Sequence, residues 1–465
     1  MPHKVNLSKA FLRLYHGLCE IEISMMILLT PILLLDIISQ RVLKGEAMDY
    51  ILALNCGSSS LKFTLFTLEG IHLEHYMGGV VEEIGNVQRS RIKLEMMDEK
   101  RIHNIELHNH QEALVAVFDE FDKIGIHPDN IKGVGHRVVH GGTNYATSVL
   151  IDEHVIKTIE DLIPIAPLHN PPNLVGINEA IKLLPNIHQV AVFDTAFHGT
   201  IPEYAFRYAI PTAWYKDFGV RTYGFHGTSH LYVAKRGAKF LGKSNKEFNG
   251  ITAHLGNGCS ITKVLGGCSV DTSMGFTPLQ GVIMGTRSGD VDPAIISHVV
   301  DQLKLKLSVS HEEAYKMVMS SLNKESGLKA LANTNMMQDI RTKAEAGDVE
   351  AELVITIYAY RIAKYIGAYW ATLPSCDAII FTAGLGENEG YVRKKIISLL
   401  PNLGITIDDK ANSMRKQEIQ IGSSSNNTTK VLVIPTDEEI VIGYDTLYLG
   451  HLMKEIPTVY PFELN

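Results

Sequence analysis

The sequence predicts an α/β protein built from two related halves, and three turns of small residues are the observations that predict it. In residues 51–66, two apolar runs that alternate like half-buried strands flank a Gly-Ser turn. Residues 251–264 repeat this order of strand, small polar turn and strand. A third, Gly-rich turn at 382–388 follows an apolar run and precedes a helical pattern at 391–400. Two hairpins and one strand–loop–helix turn together indicate a duplicated nucleotide-binding fold with a phosphate chain between its halves.

Each of these turns has the chemistry to hold a phosphate group. Gly57 tolerates backbone angles that other residues resist, the serines beside it offer hydroxyl and amide donors, and Lys62 adds a positive charge. Gly258 and Lys263 repeat the spacing of Gly57 and Lys62, and amides at the start of the helix after the third turn could face an anion. An ordinary Ser-rich hairpin is the alternative for the first turn alone, and the second copy favours phosphate binding.

Length and composition limit the class of protein. The 465 residues suffice for two or three domains, and 45% hydrophobic with 20% charged residues is ordinary for a soluble globular protein. A net charge of −8 argues against a general nucleic-acid binder, which usually carries a basic excess. The five dispersed cysteines form no Cys-x-x-Cys pair, which fits reduced thiols in the cytosol. We therefore expect a cytoplasmic protein that binds no nucleic acid.

Residues 1–47 differ from the rest of the chain. The apolar stretch at 25–38 is too short to span a bilayer comfortably, and Pro31 and Asp36 interrupt it, so no stable membrane insertion is expected. Three interpretations stay open: an in-frame extension ahead of a natural start at Met48, an interfacial or partner-binding helix, and a weak anchor. The first is favoured because Met48 stands immediately before the first core strand.

The pattern of residues 48–197 predicts one α/β half, with helices at 111–123 and 174–184. Arg137 lies inside a strand-like run, and because an unpaired buried charge is costly, it needs a partner. A structural ion pair and an anion ligand that faces a cleft both stay open. Asp194 follows an apolar strand at its carboxyl end, where open α/β sheets place functional groups, and a helix N-cap is the alternative.

The second half is predicted to run from 198 to about 437. His226 and His230 stand four residues apart, as in some zinc sites, but the glutamate of the His-Glu-x-x-His motif is missing and Gly227 weakens the helix that would align the pair. Zinc is therefore a minor alternative. Arg287 lies in a polar loop among glycines and two aspartates, for which a solvated turn is the alternative.

The last part of the chain is predicted from its polarity and spacing. A long core helix is expected at 350–373, and a polar, exposed connection at 410–430. A last strand at 430–435 and a terminal helix from about 440 to 453 follow. The acidic residues between them, within 436–439, could cap that helix or hold a metal.

Ten motifs, in order from about residue 50 to the C-terminus, resemble those of the acetate kinase family, whose members act on short-chain carboxylates. They are NCGSSSLK, GHRVVHGG, APLHNPPN, FDTAFH, YGFHGTSH, HLGNG, DTSMGFTPLQG, MGTRSGDVDP, TAGLGEN and PTDEE. The resemblance implies a duplicated actin-like ATPase (ribonuclease H-like) fold, shared with actin, sugar kinases and heat-shock chaperone ATPase domains. It places two domains around a nucleotide cleft: 48–197, joined by a C-terminal helix at about 438–465, and 198–437. It also implies a homodimer.

The resemblance further implies a role for each matched residue. The metal residues for Mg²⁺, which Mn²⁺ can replace, are Asn55 and Glu438. The catalytic residues are Arg137, which holds the substrate, Asp194, the acid/base residue, and His226 and Arg287, which stabilise the transition state. The acyl group would contact Val139, Leu168, Phe225 and Pro278 beside Arg137. The ATP or ADP contacts are Lys62, His254, Leu255, Gly256, Asn257, Gly258, Asp339, Ile340, Arg341, Gly384, Leu385, Gly386, Glu387 and Asn388.

The expected reaction is reversible phosphoryl transfer from ATP to acetate, by direct in-line attack of a carboxylate oxygen on the γ-phosphorus. Acetate is already an anion, so the difficulty is to bring two negative reactants together, and Asp194 is expected to orient an arginine or a water rather than to remove a proton. A propionate or butyrate kinase is the closest alternative, because one or two methylenes are worth only about 1–3 kcal/mol in an apolar pocket. A non-catalytic, nucleotide-gated binding protein of the same fold is the alternative from another class, and it would have no need of a carboxylate pocket.

Overall fold

The computed structural model describes residues 48–96 and 99–464, and from Ile51 onward this chain forms one compact unit. The extension at 1–47 lies outside the described residues, and so do the three interpretations offered for it. The strands are β1 (Asp49–Cys56), β2 (Ser60–Glu69), β3 (His72–Glu82), β4 (Arg91–Met96), β5 (Glu99–Asn104), β6 (Ile131–Val138), β7 (Val149–Leu150), β8 (Gln189–Phe193), β9 (Gly250–Leu255), β10 (Cys259–Leu265), β11 (Cys268–Thr272), β12 (Ala378–Thr382), β13 (Ile405–Ile407), β14 (Ile419–Ser424) and β15 (Lys430–Val433). The α-helices are α1 (His110–Asp122), α2 (Glu153–Asp161), α3 (Asn170–Leu183), α4 (Glu203–Phe206), α5 (Thr212–Phe218), α6 (Gly227–Phe240), α7 (Pro293–Leu307), α8 (His311–Lys324), α9 (Gly327–Ala332), α10 (Met337–Glu345), α11 (Val349–Thr372), α12 (Ala383–Asn388), α13 (Gly390–Ser398), α14 (Asp409–Asn412) and α15 (Glu438–Thr446).

The first sheet has eight strands in the order β5-β4-β3-β2-β1-β6-β8-β7. Strands β2 to β5 form an antiparallel meander, whereas β6 and β8 run parallel. Apolar side chains of α2 and α3 cover one face of β6 and β8, and α15, from the far end of the chain, covers the other face. Gly135 permits this second contact, since a Cβ there would lie 2.1 Å from the Oγ1 of Thr446.

The second sheet has seven strands in the order β11-β10-β9-β12-β15-β14-β13. Strand β9 is antiparallel to β10 and parallel to β12, which is in turn parallel to β15. The 24-residue helix α11 packs on one face, and α6 packs on the other. The order β2-β1-β6-β8 in the first sheet corresponds to β10-β9-β12-β15 in the second. This repeat confirms the predicted duplicated α/β fold.

Two stretches differ from the elements predicted for them. The Gly-rich stretch after β12 is not an open turn, because Ala383 adopts a left-handed φ of 64° and the chain enters α12 at once. The connection predicted at 410–430 contains β14, whose Ile421 is fully buried. A bulge between Gln420 and Gly422 breaks the alternation that would have indicated a strand. Within the described ranges, no helix is both long and apolar enough to cross a bilayer.

Candidate active site

A cleft of about 430 Å³ lies where β1, β6, β8 and β9 end. Residues at or after the ends of strands from both sheets line it. The predicted site residues that it brings together are Asn55, Lys62, Arg137, Val139, Asp194, Phe225, His226, Asn257, Gly258, Pro278 and Arg287. The rest of the lining consists of Cys56, Gly57, Ser60, His169 and Asn173. The four residues predicted to be catalytic therefore face one cavity.

Arg137 on β6 forms a two-point ion pair with Asp194, the first residue after the neighbouring parallel strand β8. The Nε of Arg137 donates to Oδ1 of Asp194 at 2.8 Å, and its Nη2 donates to Oδ2 at 2.7 Å. Burial would lower the pKa of Arg137, but the negative charges of Asp194 and Glu438 outweigh it and raise that pKa, so the guanidinium stays charged. The ion-pair interpretation of Arg137 is confirmed, and because the residue also lines the cleft, its role as an anion ligand stays a prediction. Asp194 is not a helix cap, because its carboxylate is engaged by Arg137.

His226 lies at the start of α6 in a left-handed conformation, with φ 58°. The next residue, Gly227, donates its N–H to the carbonyl of Asp194 at 2.9 Å, and a Cβ on it would lie 2.2 Å from that oxygen. Glycine thus lets the helix start against the end of β8, which aims the imidazole into the cleft. The ring stacks on that of His254 at 4.2 Å. Burial, followed by the charges of His254 and Arg137, lowers the pKa of His226 well below its usual value.

The side chains of Arg287 and His226 both lie next to Gly258, in the turn between β9 and β10. A Cβ on Gly258 would lie 3.1 Å from Nε2 of His226 and 3.6 Å from Nη1 of Arg287. The nearest partner of the guanidinium is the carbonyl of Pro278, at 3.3 Å from Nη1. No carboxylate pairs with Arg287 in the part of the chain that the structure describes. Burial lowers its pKa from the ordinary arginine value, and its charge is available to a ligand.

Asn55 and Glu438 share a small recess next to the cleft, together with Lys62, Arg137 and Glu439. Oε2 of Glu438 accepts from Thr228 Oγ1 at 3.2 Å and lies 3.8 Å from Nε of Arg137. Among the described residues no group of three or more His, Cys, Asp or Glu side chains could enclose a metal ion. One amide and one carboxylate oxygen suit Mg²⁺, which usually completes its shell with water and substrate phosphates.

The zinc alternative is not supported by the geometry of the two histidines. Nδ1 of His226 and Nε2 of His230 lie 2.9 Å and 2.7 Å from the same Ser260 hydroxyl. Nδ1 of His230 contacts Thr252 Oγ1 at 2.7 Å, so both of its ring nitrogens are occupied. These histidines form hydrogen bonds inside the fold and do not converge on a metal.

The three predicted nucleotide stretches differ in their distance from the cleft lining. Asn257 and Gly258 line it, whereas His254 is buried behind them and contacts Ser229 Oγ through Nδ1 at 2.8 Å. Arg341 forms ion pairs with Glu345 and Glu389 at 3.1 Å and 3.0 Å. The stretches 339–341 and 384–388 lie outside the lining.

Of the four residues predicted to contact the acyl group, three line the cleft and one does not. Val139, Phe225 and Pro278 line the cleft, whereas Leu168 is 47% exposed and does not. Its neighbour His169 lines the cleft instead, and burial, followed by the charges of Arg287 and Arg137, lowers the pKa of His169 to about 4.

Two polar residues of the lining, His169 and Asn173, were not among the predicted site residues. Asn173 accepts from the N–H of Val139 at 3.1 Å and donates to the carbonyl of Cys56 at 2.9 Å. It thereby ties the end of β1 to the residue that follows β6. Both belong to the proline-fixed stretch APLHNPPN, whose second half begins α3, and polar residues beside these prolines were the available signal.

Comparisons with known proteins give a consistent result. The sequence profile described as the acetokinase family matches residues 50–444. The acetate kinase of Thermotoga maritima is 48% identical over 404 residues, which is 85% of this chain and 97% of that protein. The acetate kinase of Pseudothermotoga lettingae is 46% identical over 401 residues, covering 85% and 96%. Among solved structures, a propionate kinase from Francisella tularensis and the acetate kinase of Porphyromonas gingivalis superpose with TM-scores of 0.78 and 0.77. Each of these two is 40% identical, and each alignment covers 86% of this chain and 99% of the other.

Proposed function

The chain belongs to the acetokinase family and is a kinase, and on that premise we propose that it catalyses ATP + acetate ⇌ acetyl phosphate + ADP. The observation that carries the proposal is a single cleft lined by two guanidinium groups, Arg137 and Arg287, with His226 beside them. Acetate and the terminal phosphoryl group are both anions, so a site that brings them together needs this positive charge.

In the proposed reaction a carboxylate oxygen of acetate attacks the γ-phosphorus in line, and ADP leaves. Arg137, held by both oxygens of Asp194, offsets the charge of acetate and orients it. Arg287 and Nε2 of His226 bind the phosphoryl oxygens as negative charge spreads over them. Asp194 removes no proton, since acetate has none to give at neutral pH.

Mg²⁺, with Mn²⁺ as its substitute, is proposed at Asn55 and Glu438, where it would neutralise charge on the phosphates of ATP. Two oxygen donors of suitable chemistry in one recess support this assignment. Lys62 and the hairpin at 254–258 are proposed to contact the phosphates, which the position of Lys62, Asn257 and Gly258 in the cleft lining supports. Stretches 339–341 and 384–388 are proposed as further nucleotide contacts on the strength of the family motifs.

The domain division follows the two sheets. We assign 48–197 with the C-terminal segment from about 438 to one domain and 198–437 to the other, and the packing of α15 on β6 supports the first assignment. A cytoplasmic homodimer is proposed as well. Exposed apolar side chains on α7 and α8, which include Ile295, Leu305 and Tyr315, would suit a subunit interface, and the mass in solution tests it.

Acetate is proposed over longer acids, and the similarity to a propionate kinase makes propionate the second candidate. Trapping of acyl phosphate by hydroxylamine with acetate, propionate and butyrate decides between them. A kcat/KM highest for acetate supports the proposal, and a higher value for butyrate defeats it. ATP turnover that needs no carboxylate would instead indicate a nucleotide-gated binding protein.

A further inference from the structure

A line of buried hydrogen bonds leads from the centre of the second sheet to the imidazole of His226. Thr252 Oγ1 lies 2.7 Å from Nδ1 of His230, whose Nε2 lies 2.7 Å from Ser260 Oγ. Ser260 Oγ in turn lies 2.9 Å from Nδ1 of His226. Thr252, His230 and Ser260 are each 0% exposed, so water does not reach these bonds. The remaining nitrogen of His226, Nε2, is the one that faces Gly258 and Arg287.

The direction of this line of bonds follows from its buried end. Thr252 Oγ1 has no partner other than His230 among the described residues, so its hydroxyl proton can go only to Nδ1 of that histidine. Nδ1 of His230 is then an acceptor, and its proton lies on Nε2 and is donated to Ser260 Oγ. Ser260 has one proton and donates it to Nδ1 of His226. A reversed line would leave the buried hydroxyl of Thr252 without an acceptor, which is costly.

The surroundings of His226 keep the imidazole neutral, so it carries one N–H only. Arg137 and Arg287 stand on its cleft side, and His254 and His230 are the other titratable groups near it. Burial and these neighbours lower the pKa of His226 well below its usual value. With Nδ1 occupied by the Ser260 proton, the single N–H must lie on Nε2.

We propose that Thr252, His230 and Ser260 are positioning residues that hold His226 in the tautomer whose Nε2–H points into the cleft. This inference rests on the proposed function, in which that N–H donates to a phosphoryl oxygen. The opposite tautomer would present a lone pair to an anion and would repel it. The three residues touch no substrate, and they act only through the ring of His226.

The test compares Thr252→Val with Thr262→Val. Thr262 faces Thr252 across β9 and β10, is equally buried, and bonds Thr272 Oγ1 instead of a histidine. Proton–nitrogen correlation spectra of protein with isotope-labelled histidine, assigned with His226→Gln, report the tautomer. We expect Nε2–H in the wild type and in Thr262→Val, and a mixture in Thr252→Val with kcat about 10- to 100-fold lower at little changed KM. Thr252→Ser restores the hydroxyl and should restore both readouts.

A second pair covers the case in which Thr252→Val does not fold. Ser260→Ala removes the donor to His226, whereas Ser269→Ala removes a buried serine that bonds His198 Nδ1 at 2.8 Å. Only the first should shift the tautomer and lower kcat. Nδ1–H in the wild type, or equal effects of both members of either pair, overturns the inference. The tautomer is read without substrate, so this failure is distinct from an absence of acetyl phosphate formation, which would sink the proposed function alone.

Discussion

Asp194→Asn tests whether this carboxylate positions Arg137 or acts as a base. The amide oxygen can still accept one guanidinium N–H, but the amide nitrogen that replaces the other oxygen cannot accept, so one of the two bonds is lost. A hydrogen bond to a charged group contributes about 1.5–3 kcal/mol. At about 1.4 kcal/mol per factor of ten, loss of that orientation should lower kcat/KM for acetate roughly 10- to 150-fold.

The matched control is Glu418→Gln, which alters another two-point arginine pair. Glu418 accepts from Nε and Nη2 of Arg236 at 2.6 Å and 2.8 Å, away from the cleft lining. Hydroxylamine trapping measures kcat and KM for acetate, and urea unfolding measures stability in both variants. We expect Glu418→Gln to leave kcat/KM unchanged. An unchanged kcat/KM in a folded Asp194→Asn protein would refute the positioning role of Asp194.

Three further outcomes follow from the same geometry. Arg287→Ala should lower kcat about 10²- to 10⁴-fold with a modest change in KM for ATP, and an unchanged kcat would remove this residue from the mechanism. Burial lowers the pKa of His136 and His198 to about 4, whereas histidine in an unfolded chain has a pKa of about 6.5. As the pH drops from about 6.5 towards 4, the unfolded chain therefore binds protons that the folded protein does not. This lowers the stability of the folded protein, so the urea concentration at the midpoint of unfolding should fall over this pH range. His136→Gln should flatten that dependence, and midpoints that do not change over this window would contradict it. Val139→Ala enlarges the lining of the cleft and should raise kcat/KM for butyrate relative to acetate about tenfold or more. Leu168→Ala changes a side chain outside the lining and should not. Equal shifts in the two variants would show that the loop with Leu168 closes over the cleft.

The sequence was informative where structure and chemistry are local. The two hairpins and the strand before Asp194 are each encoded within a few neighbouring residues, so their patterns could be recognised. The choice between an ion pair and an anion ligand for Arg137 could not be made from the sequence, because its partner Asp194 follows another strand. The distances to Asp194 show the ion pair, and the role as an anion ligand stays a prediction.

Features that depend on contacts between distant segments were not predictable. The bonds among Thr252, His230 and Ser260 join a strand, a helix and a second strand, and no spacing in the sequence marks them. Leu168 is a residue whose position in the structure differs from the one that its sequence motif predicted, for the same reason. Its motif placed it at the acyl group, while the fold turns its neighbour His169 towards the cleft and leaves Leu168 exposed.

The contact of α15 with β6 has a consequence for how the chain folds during synthesis. One face of the first sheet, with Val190 and Val192 on it, is covered by side chains such as Ile442 of α15, which follows the whole second sheet in the chain. That face therefore lacks its cover until the second sheet has been synthesised. Pairings so distant along the chain are slow to form, and an uncovered apolar face is prone to aggregate. The first sheet is therefore begun before the second and completed after it, and we expect its nascent form to need protection from aggregation.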